Sequence, residues 1–153
     1  MEVLMGHQTA QSLNNIIPIL IDSRRGYEMA ADLCDDDYVH KAKFLKKIAE
    51  RAAITAEFQA HVRLQGEEPK EKGGPLGKLH RMLTGMSKNF GSEEKTALKA
   101  IDDGEAFLQQ ACETELEKDD VDSVGRNLLK QALSSAKSGE SYAEAEAEAE
   151  AES

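Results

Sequence analysis

The run YVHKAKFLKKIAERAAITAEFQAHVRL, residues 38–64, contains neither glycine nor proline. Its Leu45, Ile48, Ala52, Thr55, Gln59 and Val62 follow an alternating three-and-four spacing, with Phe44 and Phe58 flanking the stripe. Strand side chains alternate every second residue, so this spacing predicts an α-helix, roughly 40 Å long at ~1.5 Å per residue. A helix apolar along one stripe must bury that stripe against other elements. The neighbouring sequence supplies them.

Upstream, residues 11–34 place Leu13, Ile16, Ile17, Leu20, Tyr27, Ala31 and Cys34 on one helical stripe, capped by Ser12. Pro18 suits the first turn of a helix and kinks it elsewhere. Asp35-Asp36-Asp37 ends this helix and sets three acids beside the positive N-terminus of the next. Downstream, QGEEPKEKGG (residues 65–74) is charged, carries Gly and Pro, and has no apolar period, so it reads as a connection. A shorter helix is expected from Pro75 to about Asn89, with Leu76, Leu79, Met82, Leu83 and Met86 on one side. Gly91-Ser92 then gives a stop and a fresh cap. The helix from Glu93 to about Leu116 puts Leu98, Ile101, Glu105, Leu108 and Cys112 on one seam. A last helix, from Asp119-Asp120 to Lys137, carries Val121, Val124, Leu128, Ala132 and Ser135. Its apolar content is the weakest, which predicts the least stable element.

The fold class is therefore all-α: a four-helix bundle over residues 11–137, with an extra short helix in its long middle connection. Residues 1–10 form an N-terminal extension and residues 138–153 an acidic Ala/Glu tail, either solvated or a frayed helical continuation. The joints 35–38 and 117–120 are short, so each joins antiparallel neighbours. The middle connection is long enough to cross the whole bundle, as in ferritin-like folds, and a simple up-down bundle would not need it.

Composition narrows the function classes. The chain has 153 residues, 40% hydrophobic and only 5% aromatic, with no Trp, which favours aliphatic helix packing over a β-sandwich. A net charge of −10 argues against a nucleic-acid partner. Residues 140–153 hold six Glu and no Lys or Arg. The most apolar run, Ile16 to Ile21, is too short to span a bilayer. MEVLMGHQTAQSLNN has no basic segment followed by an apolar one. The expectation is a cytoplasmic protein that engages no membrane, with Cys34 and Cys112 reduced and buried.

The strings LNNIIPILIDSRRGYEMAA, ERAAITAEFQAHVRLQGEEP, GPLGKLHRML and DDGEAFLQQA, in that order, resemble a bacterial four-helix-bundle family grouped with the ferritin-like proteins. That family is known chiefly as a domain of unknown function. The resemblance covers roughly Ser12 to Leu133 and implies ferritin-like architecture. It also suggests a stress or stationary-phase setting.

Iron would need ligands. A ferritin-like di-iron centre takes a Glu from each of two helices and a Glu-x-x-His pair from each of the other two. The first helix offers Glu28, the second Glu57 and His61, and the third Glu105, while residues 119–137 contain neither Glu nor His. Glu57 and His61 are spaced i, i+4 rather than i, i+3. The set Glu28, Glu57, His61 and Glu105 is at most a degenerate metal site.

Glu105 lies between Ile101 and Leu108, where an unpaired carboxylate is expensive to bury. The resemblance implies an acid near the pseudo-equivalent position of the first helix; this chain has Arg24 and Arg25 there. A structural polar core of Arg24, Tyr27 and Glu105 is expected, with an Arg24–Glu105 ion pair in the space metal would occupy. The competing reading sends Glu105 to solvent at the bundle edge. His80 reads as a surface or packing residue, and His40 lies in the first turn of the second helix. No Ser/His/Asp grouping, phosphate loop or zinc spacing occurs. Gly26 in mid-helix signals a close helix crossing.

Two functions remain. One is a non-catalytic binding or stress-associated bundle without a cofactor; the other is a degenerate ferritin-like metal binder or oxidase using iron. A homodimer through Leu76, Leu79, Met82, Leu83 and Met86 is a further possibility for partners.

Overall fold

The computed structural model describes residues 2–34, 38–74 and 93–152. Among the described residues there are four helices and no strand: α1 (Glu2–Leu33), α2 (Tyr38–Leu64), α3 (Glu93–Leu116) and α4 (Ser123–Glu152). The helix expected over Pro75 to Asn89, and the dimer surface on it, lie outside the described residues.

Helix ends follow local chemistry. Gly66, at φ 79°, closes α2 in a left-handed turn, with Gly66 N donating to Arg63 O and Glu67 N to Val62 O. Asp122 caps α4, its Oδ1 accepting from Gly125 N at 2.7 Å, so this helix starts three residues after the expected Asp119-Asp120. The Arg126 guanidinium reaches back to Leu116 O and Lys118 O and satisfies the carbonyl end of α3.

Every adjacent pair runs antiparallel. Ser23 meets Arg51 while Gly6 meets Gln65 across α1/α2. Tyr27 meets Glu105 while Asn15 meets Glu115 across α1/α3. His40 meets Tyr142 while His61 meets Asp122 across α2/α4. Consequently α2 ends beside the start of α1, whereas α3 begins beside its end. Residues 65–74, which follow α2, track α1: Lys70 N donates to Asn14 Oδ1 at 2.9 Å, and Gly74 N to Asp22 Oδ2 at 2.8 Å.

The stripes of α1 and α3 are buried as expected. On α2 the seam is turned. Leu45 is 51% exposed, and the inward residues are His40, Phe44, Arg51, Ile54, Thr55, Phe58, His61 and Val62. On α4, Val124 is likewise half exposed, with Leu129 and Ala136 inside instead.

Both terminal segments are helical. Residues 2–10 belong to α1, with Thr9 and Ala10 buried and Thr9 Oγ1 accepting from Asp122 N at 2.9 Å. The acidic tail continues α4 through Glu152. Like charges at i, i+4 cost ~0.2–0.5 kcal/mol per pair. Against that, Ala143 is fully buried, Tyr142 packs edge-on to Phe44, and Glu146 Oε2 lies 3.5 Å from His40 Nε2.

The core has two parts. Ala10 to Ile21, Ile54 to Val62, Leu108, Cys112 and residues of early α4 form one; Tyr27 to Cys34, Phe44, Ala97 to Ile101 and Ala143 form the other. Cys34 and Cys112 fall in different parts, separated by roughly 20 Å along α3 at ~1.5 Å per residue. Bridged Cα atoms stand at most ~7 Å apart. Diamide treatment of the folded protein is therefore expected to give no intramolecular Cys34–Cys112 disulfide in non-reducing mass spectrometry. Burial also pushes the Cys112 thiol up to about 12, so the reactive thiolate is scarce. A bridge formed without unfolding would contradict this helix order. No helix among the described residues is long and apolar enough to cross a membrane.

Candidate functional site

A polar layer separates the two halves of the core. Each helix contributes: Ser23 from α1, Arg51 from α2, Glu105 from α3 and Ser135 from α4. Arg51 is 0% and Glu105 1% exposed. Their groups meet fork to fork, Nη1 to Oε1 at 2.7 Å and Nη2 to Oε2 at 2.5 Å. This two-bond geometry is the strongest arrangement an arginine and a carboxylate adopt.

The remaining donors and acceptors are filled from the other helices. Tyr27 Oη donates to Glu105 Oε2 at 2.9 Å, and Ser23 accepts from Arg51 Nη1. Arg51 Nε donates to Ser135 Oγ at 3.1 Å, and that hydroxyl donates to Glu50. Lys47 Nζ closes the chain on Glu50 at 3.1 Å and Ser135 O at 2.9 Å. The guanidinium also lies 5.6 Å from the Tyr27 ring centroid.

Electrostatics follow from that packing. Burial, then the Glu105 carboxylate, push the Tyr27 hydroxyl far above its usual range, so it remains a donor. Burial alone would weaken Arg51 as a cation, but Glu105 more than reverses this and holds it protonated. Burial opposes ionisation of Glu50, yet its bonds to Ser135 and Lys47 hold its carboxyl below the usual range.

Gly139 of α4 lies against this layer. A methyl group there would fall inside contact distance of the Glu105 carboxylate and the Tyr27 hydroxyl, both locked by hydrogen bonds. Gly26 and Gly104 border one narrow gap between α1 and α3, beside Tyr27 and Glu105.

The expected residues are placed as follows. Glu105 is inside and meets Tyr27, but its cation is Arg51 rather than Arg24. Arg24 is half-buried and turns along its own helix, with Nε 3.4 Å from Glu28 Oε1. Glu28 and Glu57 are exposed. His61 is buried but belongs to another group, its Nε2 3.1 Å from Asp122 Oδ2 and 3.2 Å from Gln65 Nε2. Glu28, Glu57, His61 and Glu105 are not brought together. Arg51 was missed because a charged residue reads as surface and the α2 stripe was drawn through Leu45 and Ala52. Its signal was there: Phe44, Arg51 and Phe58 are seven apart on one face.

Iron does not fit the central layer. A metal needs anionic or neutral donors around an open position, and here a guanidinium occupies both oxygens of Glu105. Elsewhere, Asp102, Glu140 and Glu144 bring one oxygen each within 4.8 Å on the α3–α4 face. Partial burial, with Glu140 and Asp103 nearby, holds the Asp102 carboxyl above its usual range. The Asp102 charge does the same to exposed Glu144.

Comparison with known proteins adds one relation. Residues 8–118 match the family model described as Domain of unknown function (DUF2383). No curated protein and no solved structure gives a significant match. The matched segment begins inside α1, ends just past α3 and contains Ser23, Tyr27, Arg51 and Glu105. With well over half of its length matched, the chain belongs to the DUF2383 family.

Proposed function

We propose that the chain is a bacterial, cytoplasmic, non-catalytic binding protein of ferritin-like architecture, acting in a stress-associated setting without a di-iron site. One observation carries this reading. The guanidinium of Arg51 lies fork to fork on Glu105 at the centre of the bundle, where an inward carboxylate would otherwise be available to metal. A buried arginine stays charged, so this position is already neutralised. The helix order supports the architecture, since two antiparallel hairpins joined end to end across the bundle are the ferritin-like connectivity.

Anaerobic Fe(II) titration of the purified protein, followed by metal analysis, tests the reading. The expected result is no stoichiometric iron. Stoichiometric iron that disappears in a folded Glu105→Gln variant would overturn it and return the chain to the degenerate metal-binding class.

A further inference from the structure

We propose that the cavity between α2 and α4 is a binding site for a small aromatic carboxylate. This deepens the binding reading above, and the two can fail separately. The cavity has a volume of about 210 Å³. It lies between α2 and α4, with Gly139 of α4 at its border.

The cavity has two chemically distinct sides. Tyr27, Phe44 and Tyr142 form an aromatic wall, with ring centroids 5.9 Å apart for Tyr27–Phe44 and 6.2 Å for Phe44–Tyr142. Both tyrosine hydroxyls are engaged elsewhere, Tyr27 with Glu105 at 2.9 Å and Tyr142 with His40 Nδ1 at 2.5 Å. Tyr142 is partly exposed and offers ring surface to an occupant, while Tyr27 and Phe44 are buried and back it from inside. A flat ring stacking edge-on or offset against Tyr142 is the matching shape.

The other side is cationic. Lys43, Lys46 and Lys47 border the cavity against a single carboxylate, Glu50, in a chain whose net charge is −10. Lys47 is tied to Glu50 and Ser135 O. Lys43 and Lys46 form no ion pair among the described residues, and Lys43 Nζ stands 5.9 Å from the Tyr142 ring centroid. A cationic rim on an otherwise acidic protein favours an anion over a neutral ligand. Ser138 adds a hydroxyl at the same border.

Size sets the upper limit. A dry cavity of about 150 Å³ accepts benzene, so this one holds a single six-membered ring with a carboxylate and little more. A dinucleotide is too large. A bare inorganic anion would leave the aromatic wall uncovered.

The test titrates benzoate into the full chain, followed by NMR and calorimetry. Saturable 1:1 binding is expected with Kd on the order of 0.1–1 mM, in keeping with the few non-hydrogen atoms of the ligand. The shifts should concentrate on Tyr142, Phe44 and Gly139. Lys43→Met, an exposed change that keeps the stem, should weaken binding about tenfold, as loss of one charge-assisted contact does. Benzamide should bind about tenfold more weakly than benzoate, and acetate should show no saturation. No saturable benzoate binding would overturn the proposal. Equal affinity for benzamide would remove the anion requirement, and saturable acetate binding would remove the ring requirement. Unchanged affinity in Lys43→Met would place the site elsewhere. Iron titration of the ligand-free protein bears only on the metal-free reading, so the two failures are distinguishable.

Discussion

Arg51→Met is expected to lower the free energy of unfolding by about 3–5 kcal/mol, the usual loss when one partner of a buried ion pair is removed. Methionine fills most of the arginine volume, so a cavity contributes little. The loss comes from Glu105, which keeps Tyr27 and Ser23 as donors but no cation. Replacing both partners with apolar residues leaves no buried charge. Arg51→Met/Glu105→Leu should recover most of the loss and can reach neutrality or better, because desolvating two charges offsets much of their attraction. Urea denaturation of the wild-type, two single variants and the double variant completes the cycle. A single-variant loss below about 1 kcal/mol would show that the layer is wetter than its geometry implies.

Phe58→Ala should cost about 3–5 kcal/mol, while Leu45→Ala should stay within about 0.5 kcal/mol. Phe58 is fully buried in the core containing Leu13 to Ile21, whereas Leu45 is 51% exposed. The two substitutions separate the observed α2 face from one drawn through Leu45 and Ala52. Thermal and urea unfolding of both variants make the comparison. A larger loss for Leu45→Ala than for Phe58→Ala would mean that α2 is rotated about its axis.

What could be read from the residues depended on whether a side chain's type agreed with its position. The α3 seam from Leu98 to Cys112 was legible because four apolar residues bracket Glu105 at regular spacing. The all-α class was legible too, from the three-and-four spacing of the apolar residues. Arg51 was not, since a charged residue on a buried stripe looks like a gap in the pattern. Only the partner supplied by α3 makes that burial tolerable. The tail left two readings open for the opposite reason. YAEAEAEAEAES has the composition of a solvated segment, and its order comes from Tyr142 and Ala143 meeting α2 and α3. The cavity between α2 and α4 had no sequence signal, because a gap is set by how two helices diverge.

The polar layer also has a place in time. Arg51 belongs to the first hairpin, and Glu105 follows it by 54 residues. At about 5–20 residues per second, the ribosome delivers the carboxylate some 3–11 s after the guanidinium. Until then, the α1–α2 hairpin carries a charge on its apolar face that water solvates better than protein does. A tight, self-sufficient collapse of the first hairpin is thereby opposed. The interface stays receptive to the second hairpin, and Glu105 makes its closure favourable.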